Sequence, residues 1–365
     1  MGGTVKAVIL VGGQGTRLRP LTCNRPKSMV PVLNMPFLEH VIRNLKTHRI
    51  TDIILAQHHL PAPMAQYFGD GSRLGVKLTY VMEDSPRGTA GAVKNAERHL
   101  DGTFLVLNGD IFHDRNFTGF LGHHRGNQAK ATIVLSPVDD TSIYGVVETD
   151  QAGRVLRFIE KPKREEAPSN WINAGTYVIE PDVLNRIPPG VKYSFERELF
   201  PGMLAEGLPV YAYHSRQYWM DTGTPEKYLQ LHRDLLAGKC EGYEFDRDLI
   251  AGKDCRIHPS VKMTGKIVLG DNCAVEPGAI LNGPLVLGSR CRIGPGAVVE
   301  DSVMWDRVTV GPRASVRGCA IANDCVIGAE ADLKDAVLGD HVFIEAGSKP
   351  EPGTRVFPEG AEGTP

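Results

Sequence analysis

The C-terminal part of the chain repeats itself every six residues, and that beat restricts the fold more than any other feature. Starting at Cys255, a small or apolar residue recurs at Val261, Ile267, Cys273, Ala279, Leu285, Cys291, Ala297 and Val303. A second apolar residue stands two positions after each, at Ile257, Met263, Leu269, Val275, Leu281, Leu287, Ile293, Val299 and Trp305. The beat resumes at Val308/Val310 and runs through Ala314/Val316, Cys319/Ile321, Cys325/Ile327, Ala331/Leu333, Ala336/Leu338 and Val342/Ile344, with three intervals shortened to five residues. Glycine, proline and asparagine fill the turns between. Each hexad is one short strand plus a corner, and three hexads close a coil of about 18 residues, so the repeat predicts a parallel β-helix. Cys255, Cys273, Cys291, Cys319 and Cys325 fall on the inward beat, where they pack as small hydrophobes. Trp305 is bulky where aliphatics belong, which predicts a local distortion there.

Ahead of the repeat the rhythm is different. Short apolar runs at 5–11, 52–57, 76–83, 103–110 and 130–138 read as strands. Between them, 37–48 and 89–100 carry apolar residues at three- and four-residue spacing, as helices packed on a sheet do. Alternating strands and helices predict a doubly wound, mostly parallel α/β sheet of Rossmann-like type. The chain therefore divides into a first domain at 1–238, a linker at 239–254, a parallel β-helix at 255–349, and a cap or tail at 350–365.

Composition removes several classes. Charges nearly cancel at net −2, which argues against nucleic acid or an anionic membrane as a partner. No apolar run reaches the roughly 18 residues that cross a bilayer. The start, MGGTVK, has neither a signal-peptide pattern nor the Ser/Thr that myristoylation wants at Lys6. Seven cysteines without a C-x-x-C pair do not form a disulfide framework, so a cytoplasmic location is expected.

The chemistry-bearing stretches lie in the first domain. The segment 10–20, LVGGQGTRLRP, puts Gly12, Gly13 and Gly15 straight after a buried strand, where glycines let backbone N–H groups converge on an anion. It is not a Walker A loop, since no Gly-Lys-Ser/Thr follows. Arg17 adds fixed positive charge, and Lys27 in RPKSMVPV is close enough in sequence to reach the same phosphates. Asp110 ends the strand LVLNGD, Glu160 and Lys161 end the strand FIEKP, and Asp221 follows two aromatics in YWMDTGTPEKY. Asp110 and Asp221 are the hard oxygen donors that a nucleotide-bound magnesium ion takes, with phosphate and water completing its octahedron. Each also has an ordinary reading: Asp110 as a helix cap, Lys161 as a solvated loop charge, Asp221 as an Asx-turn.

GGQGTRLRPLT, RPKSMVPV, NGD, EKP, NAG (173–175) and WMDTGTP, in this order and spacing, resemble the nucleotide-sugar pyrophosphorylases, the sugar-1-phosphate nucleotidyltransferases. The resemblance runs nearly end to end, because many members carry a left-handed β-helix of hexapeptide repeats. It implies attack of a sugar 1-phosphate on the α-phosphorus of a nucleoside triphosphate, releasing pyrophosphate. It also implies roles. Arg17 holds the leaving phosphates, Lys27 steadies the nucleotide and Lys161 contacts the sugar phosphate. Asp110 and Asp221 bind Mg2+. Leu10, Gly12, Gly13, Gly15, Thr16, Glu83, Gly88 and Thr89 line the nucleotide. Glu160, Asn173, Gly175 and the Gly145 backbone hold the sugar.

Base choice turns on EDSPRG (83–88). Members that read uracil or thymine carry glutamine five residues before the glycine, where this chain has Glu83. A carboxylate only accepts, and guanine offers two adjacent donors. Together with GTAGAV this resembles the GDP-mannose pyrophosphorylase branch, implying GTP and mannose 1-phosphate. The alternatives are a glucose-1-phosphate enzyme using UTP, dTTP or ATP, and a non-catalytic subunit of the same fold. The motif residues argue against the latter. Self-association through the β-helix into a homo-oligomer is expected.

Overall fold

The computed structural model describes residues 5–58 and 60–361. The chain forms two compact units that interleave in sequence: 1–13 with 38–219, and 14–37 with 220–365. The helix Pro225–Leu236 thus belongs to the second unit, although it precedes the boundary drawn at residue 238.

The first unit is built on a nine-stranded sheet. Its strands are β1 (Lys6–Leu10), β2 (Asp52–Gln57), β3 (Lys77–Met82), β4 (Phe104–Asn108), β5 (Ala131–Pro137), β6 (Gly145–Thr149), β7 (Val155–Glu160), β8 (Trp171–Ile179) and β9 (Val210–His214). The order is β7-β6-β8-β4-β1-β2-β3, and β8 also pairs with β5, which pairs with β9. From β4 through β3 every pair is parallel. β8 is antiparallel to β4, β5 and β6, and β7 is antiparallel to β6. Only β8 and β7 therefore run against the other strands, and the sheet is mostly parallel. Helices Phe37–Thr47 and Gly88–Asn95 replace the periodic segments read from sequence. The central strands carry apolar residues on both faces, and Ala7, Val8 and Ile9 are fully buried, as a sheet covered on both sides requires.

In the second unit three sheets of stacked parallel strands form the left-handed β-helix architecture. Their inward residues make one continuous core from Ile267 to Ile344, including Cys273, Cys291, Cys319 and Cys325. The stack begins with Leu249–Ala251, inside the stretch read as linker, and its last rung is Arg355–Val356, inside the stretch read as cap or tail. Corner residues Asn272, Arg290, Arg307, Asp324 and His341 share positive φ, repeating once per coil.

The distortion expected at Trp305 is a one-residue change of register. Val303 pairs with Val286 and Met304 with Leu287, so Met304, not Val303 or Trp305, points into the core. Ser302 takes the inward beat, its hydroxyl donating to the Glu300 carbonyl and accepting from the Cys319 amide. The first short interval is thus 297 to 302, at the same corner as 314 to 319 and 331 to 336. Trp305 faces outward yet is buried: its indole N–H donates to the Tyr228 hydroxyl at 2.8 Å and the Arg25 guanidinium lies 4.5 Å above its ring.

Candidate active site

Within the first unit, the parallel register sets the carboxyl ends of four strands side by side. Leu10 pairs with Asn108 on one side and Ala56 on the other, and Gln57 pairs with Met82. The residues that follow these ends, Gly12 and Gly13, His58, Glu83 and Asp110, therefore share one edge of the sheet. In open α/β folds this is where ligands bind. Gly109 has to be glycine here: a Cβ would stand 2.6 Å from Val11 Cγ1 and 2.7 Å from the Leu10 carbonyl oxygen. That close approach carries half-buried Asp110 up beside the glycine loop.

Glu83 is buried, 7% exposed, rather than a solvated surface acid. Its Oε2 accepts the Arg87 N–H at 2.9 Å. Its Oε1 lies on the Gly12 side, 3.9 Å from where a Cβ on that glycine would be. Burial pushes the carboxyl above the usual range, and the Arg87 amide and the charges of His58 and Arg87 pull it partly back. Gly88, at positive φ, passes 2.7 Å (as a virtual Cβ) from the Tyr193 carbonyl oxygen. That same carbonyl accepts the Ala90 and Gly91 amides at the start of the helix. The Thr89 hydroxyl donates to Glu196 Oε2 at 3.1 Å and accepts the Phe195 amide at 2.9 Å.

A cavity of ≈ 410 Å³ is lined by Gly145, Phe158, Ile159, Asn173, Glu196, Arg197 and Pro201. It brings Gly145 and Asn173 together, and β6–β7 pairing places the Glu160 backbone opposite Gly145. Lys161, exposed and at φ 49°, leaves β7 with its amide donating to the Tyr144 carbonyl. Asn173 is fixed at a bulge in β8: its Oδ1 accepts the Gly175 amide and its Nδ2 donates to the Tyr177 hydroxyl. Gly175 needs its positive φ and lack of Cβ, because a Cβ would stand 2.5 Å from Asn108 Nδ2. Glu196 was missed in the sequence. It accepts from the hydroxyls of Tyr177 (2.7 Å), Ser194 (2.5 Å) and Thr89, which tie the cavity to the start of helix Gly88–Asn95. No motif flanks it, since its partner Thr89 is 107 residues away in the chain.

In the second unit three cations gather around one carboxylate. Gly15, at φ 63°, folds the exposed loop back so that a Cβ would meet Lys27 Cβ at 3.0 Å, and its carbonyl accepts the Thr22 hydroxyl at 2.7 Å. Thr16 and Arg17 follow in a 3-10 turn. Around Asp221 stand Lys27 Nζ at 3.5 Å, Arg17 Nη2 at 3.8 Å and Lys227 Nζ at 4.0 Å. These are looser than tight ion pairs. Gly223 keeps the space open, as a Cβ there would be 2.7 Å from Arg17 Nη2. Lys227, one turn into the helix capped by Thr224, is a cation the sequence reading did not single out.

Among the described residues no cluster of three or more His, Cys, Asp or Glu could hold a metal alone. One carboxylate ringed by loosely placed cations fits an ion that arrives with a polyphosphate and takes its remaining ligands from phosphate and water. No described helix is long and apolar enough to cross a membrane.

Comparison with known proteins agrees with this layout. Residues 6–238 match the nucleotidyl transferase family model, and 263–349 match a GMPPB C-terminal domain model. A mannose-1-phosphate guanylyltransferase of Mycobacterium tuberculosis is 43% identical over 64% of this chain, and the match spans 65% of that enzyme. A UTP–glucose-1-phosphate uridylyltransferase of Synechocystis is 38% identical over 64% of each chain. A mannose-1-phosphate guanyltransferase of Hypocrea jecorina is 36% identical over 94% of this chain and 95% of its own length. Among solved structures, HddC of Yersinia pseudotuberculosis complexed with GMP-PN is 28% identical, with a TM-score of 0.54, over 62% of this chain and 97% of that one. With one family model spanning the glycine loop, the sheet edge and the cavity alike, the chain belongs to the nucleotidyl transferase family.

Proposed function

We propose that this protein transfers a guanylyl group from GTP to mannose 1-phosphate, forming GDP-mannose and pyrophosphate. The observation that carries the base assignment is Glu83, a buried carboxylate at the sheet edge with one oxygen held by Arg87 and the other toward Gly12. Guanine's N1–H and amino group are adjacent donors that such an acceptor pairs with. A base lacking them leaves the buried charge unpaired. The named relatives that act on mannose 1-phosphate support the sugar.

A phosphate oxygen of the sugar 1-phosphate attacks the α-phosphorus, and the bond from that phosphorus to the bridging oxygen breaks toward pyrophosphate. The nucleophile is already an anion, so no side chain has to remove a proton. The work left to the protein is to align two anions and offset the charge developing on the leaving group. Arg17 and Lys27 take the leaving phosphates, with Lys227 beside them, and Lys161 takes the sugar phosphate. Asn173, Glu160, the Gly145 and Gly175 backbone and the Glu196 network hold the sugar hydroxyls. Leu10, Gly12, Gly13, Gly15, Thr16, Gly88 and Thr89 line the nucleotide. Asp110 and Asp221 are the carboxylates we assign to Mg2+, which when bound supplies charge neutralisation on the phosphates.

The test is GTP labelled at its α-phosphate, incubated with mannose 1-phosphate, Mg2+ and the purified protein. Label in a sugar nucleotide, with unlabelled pyrophosphate, is expected. Label remaining in GTP, or appearing in free GMP, contradicts the proposal.

A further inference from the structure

We propose that Asp340 and Trp305, side chains of the β-helix, are positioning residues for Lys27: they fix the segment that presents this lysine to the nucleotide phosphates. The proposal rests on the functional reading above. Asp340 lies near the end of the stack, 315 residues from Arg25 in the chain, yet the two form a forked contact. Arg25 Nη2 donates to Asp340 Oδ1 at 2.8 Å and to Oδ2 at 3.0 Å, and Asn24 Nδ2 reaches Oδ2 at 3.3 Å. The carboxylate is 7% exposed and the arginine 19%. The other side of the guanidinium rests on the Trp305 ring. Trp305 is in turn fixed through its N–H to Tyr228, whose hydroxyl donates to the Pro31 carbonyl at 2.5 Å. Both ends of the segment 24–31 are therefore tied to the β-helix.

Asp340 is itself held rigid. One polar side chain per coil reaches across to a backbone amide of the coil before it, and Asp340 is a rung of that ladder. Its Oδ1 accepts the Asn323 N–H, Asn323 Oδ1 accepts the Asp306 N–H, and Asp306 Oδ1 accepts the Ser289 N–H. An asparagine serves the rung at 323, so the ladder needs one oxygen and no charge. Arg25 shares Oδ1 with that rung, and the carboxylate's second oxygen and its charge go to Arg25 and Asn24. Between Arg25 and Lys27 stands only Pro26, with φ fixed near −62°, which leads into the 3-10 turn Lys27–Met29. A shift of Arg25 is thus passed to Lys27, whose side chain is 9% exposed and whose ammonium stands 3.5 Å from Asp221.

Asp340→Asn keeps the ladder rung and weakens the grip on Arg25, while Arg25→Met keeps the apolar stem over Trp305 and removes the fork. The experiment measures, for the full chain and these variants singly and together, the Kd of a non-hydrolysable GTP analogue with Mg2+ and the KM of both substrates. We expect nucleotide Kd and KM to rise about tenfold in each single variant, the double variant to be no worse than the worse single, and the sugar-phosphate KM to stay within twofold. Circular dichroism reports folding, and a Trp305→Phe variant, which loses the N–H to Tyr228 and keeps a smaller aromatic face under Arg25, is expected to show a smaller rise of the same kind. Nucleotide Kd within twofold of wild type in folded Asp340→Asn and Arg25→Met, or equal effects on both substrates, overturns the positioning role alone. Wild-type protein that binds no nucleoside triphosphate overturns the functional reading and this proposal with it.

Discussion

Replacing Glu83 by glutamine changes one atom and separates guanine recognition from every other role this residue could have. The structure dictates how the glutamine sits. Oε2 of Glu83 takes the Arg87 N–H at 2.9 Å, and that amide still needs an acceptor, so the new carbonyl oxygen stays there. The NH2 group is then forced into the Oε1 position, on the Gly12 side. There it meets guanine's donors with a donor. One charge-assisted hydrogen bond is lost, at about 1.5–3 kcal/mol, and a buried donor is left unmatched, at about 1–3 kcal/mol. Taking about 3–4 kcal/mol together, kcat/KM for GTP falls on the order of 10²- to 10³-fold. Uracil's N3–H is flanked by acceptors, which the new NH2 can serve, so kcat/KM for UTP is unchanged or rises. Steady-state pyrophosphate release with each nucleotide gives the ratio directly. A GTP/UTP preference within threefold of wild type, in a folded variant, refutes the reasoning.

Other perturbations follow from the same geometry. Arg17→Ala lowers kcat by roughly 10²- to 10³-fold, the scale of losing one preorganised donor aimed at charge that develops in the transition state, with an unchanged circular dichroism melt. Burial raises the folded-state pKa of Glu83 above its unfolded value. Its ionised, accepting form is therefore lost on acidification sooner than for an ordinary carboxylate, and KM for GTP rises as pH falls. Glu83→Gln, which cannot titrate, lacks that rise in a KM-against-pH series. The same sign makes Glu83 a stability liability at neutral pH: its folded-state contribution holds below the unfolded pKa and is lost as pH climbs through the raised one. Tyr177→Phe cuts the link between Asn173 and Glu196 and raises KM for the sugar phosphate about fivefold to tenfold, leaving the nucleotide KM unchanged. Gly109→Ala sets a methyl 2.6 Å from Val11 and 2.7 Å from a backbone oxygen. It costs about 1–3 kcal/mol, read as a lower melting temperature and lower activity together.

What could be read from sequence follows from the range of the forces involved. The six-residue beat is local and recurs coil after coil, so the β-helix announces itself. It fails at 302–305 because the outer face of that sheet is also buried: Val286, Val303 and Ala320 are covered as fully as the inward Leu287, Met304 and Ile321. With both faces apolar the alternation that sets register disappears, and Val303 and Trp305 look inward while Ser302 does the inward work. The placement of Glu83, Asp110 and Gly12 on one edge was legible because parallel strands bring their carboxyl ends together whatever the details of pairing. The reversed strands β7 and β8 carry no such signal. Glu196 and Asp340 depend on partners far away in the chain, Arg25 for Asp340 and Thr89 for Glu196. No local pattern encodes a contact of that range.

The most direct test of the central claim is pyrophosphate release by the purified protein with Mg2+, run across GTP, UTP, dTTP and ATP, each with mannose 1-phosphate and with glucose 1-phosphate. Strong release with GTP and mannose 1-phosphate, at least tenfold above every other pair, is the predicted result. Release that prefers UTP, dTTP or ATP, or none from folded protein with any pair, contradicts it.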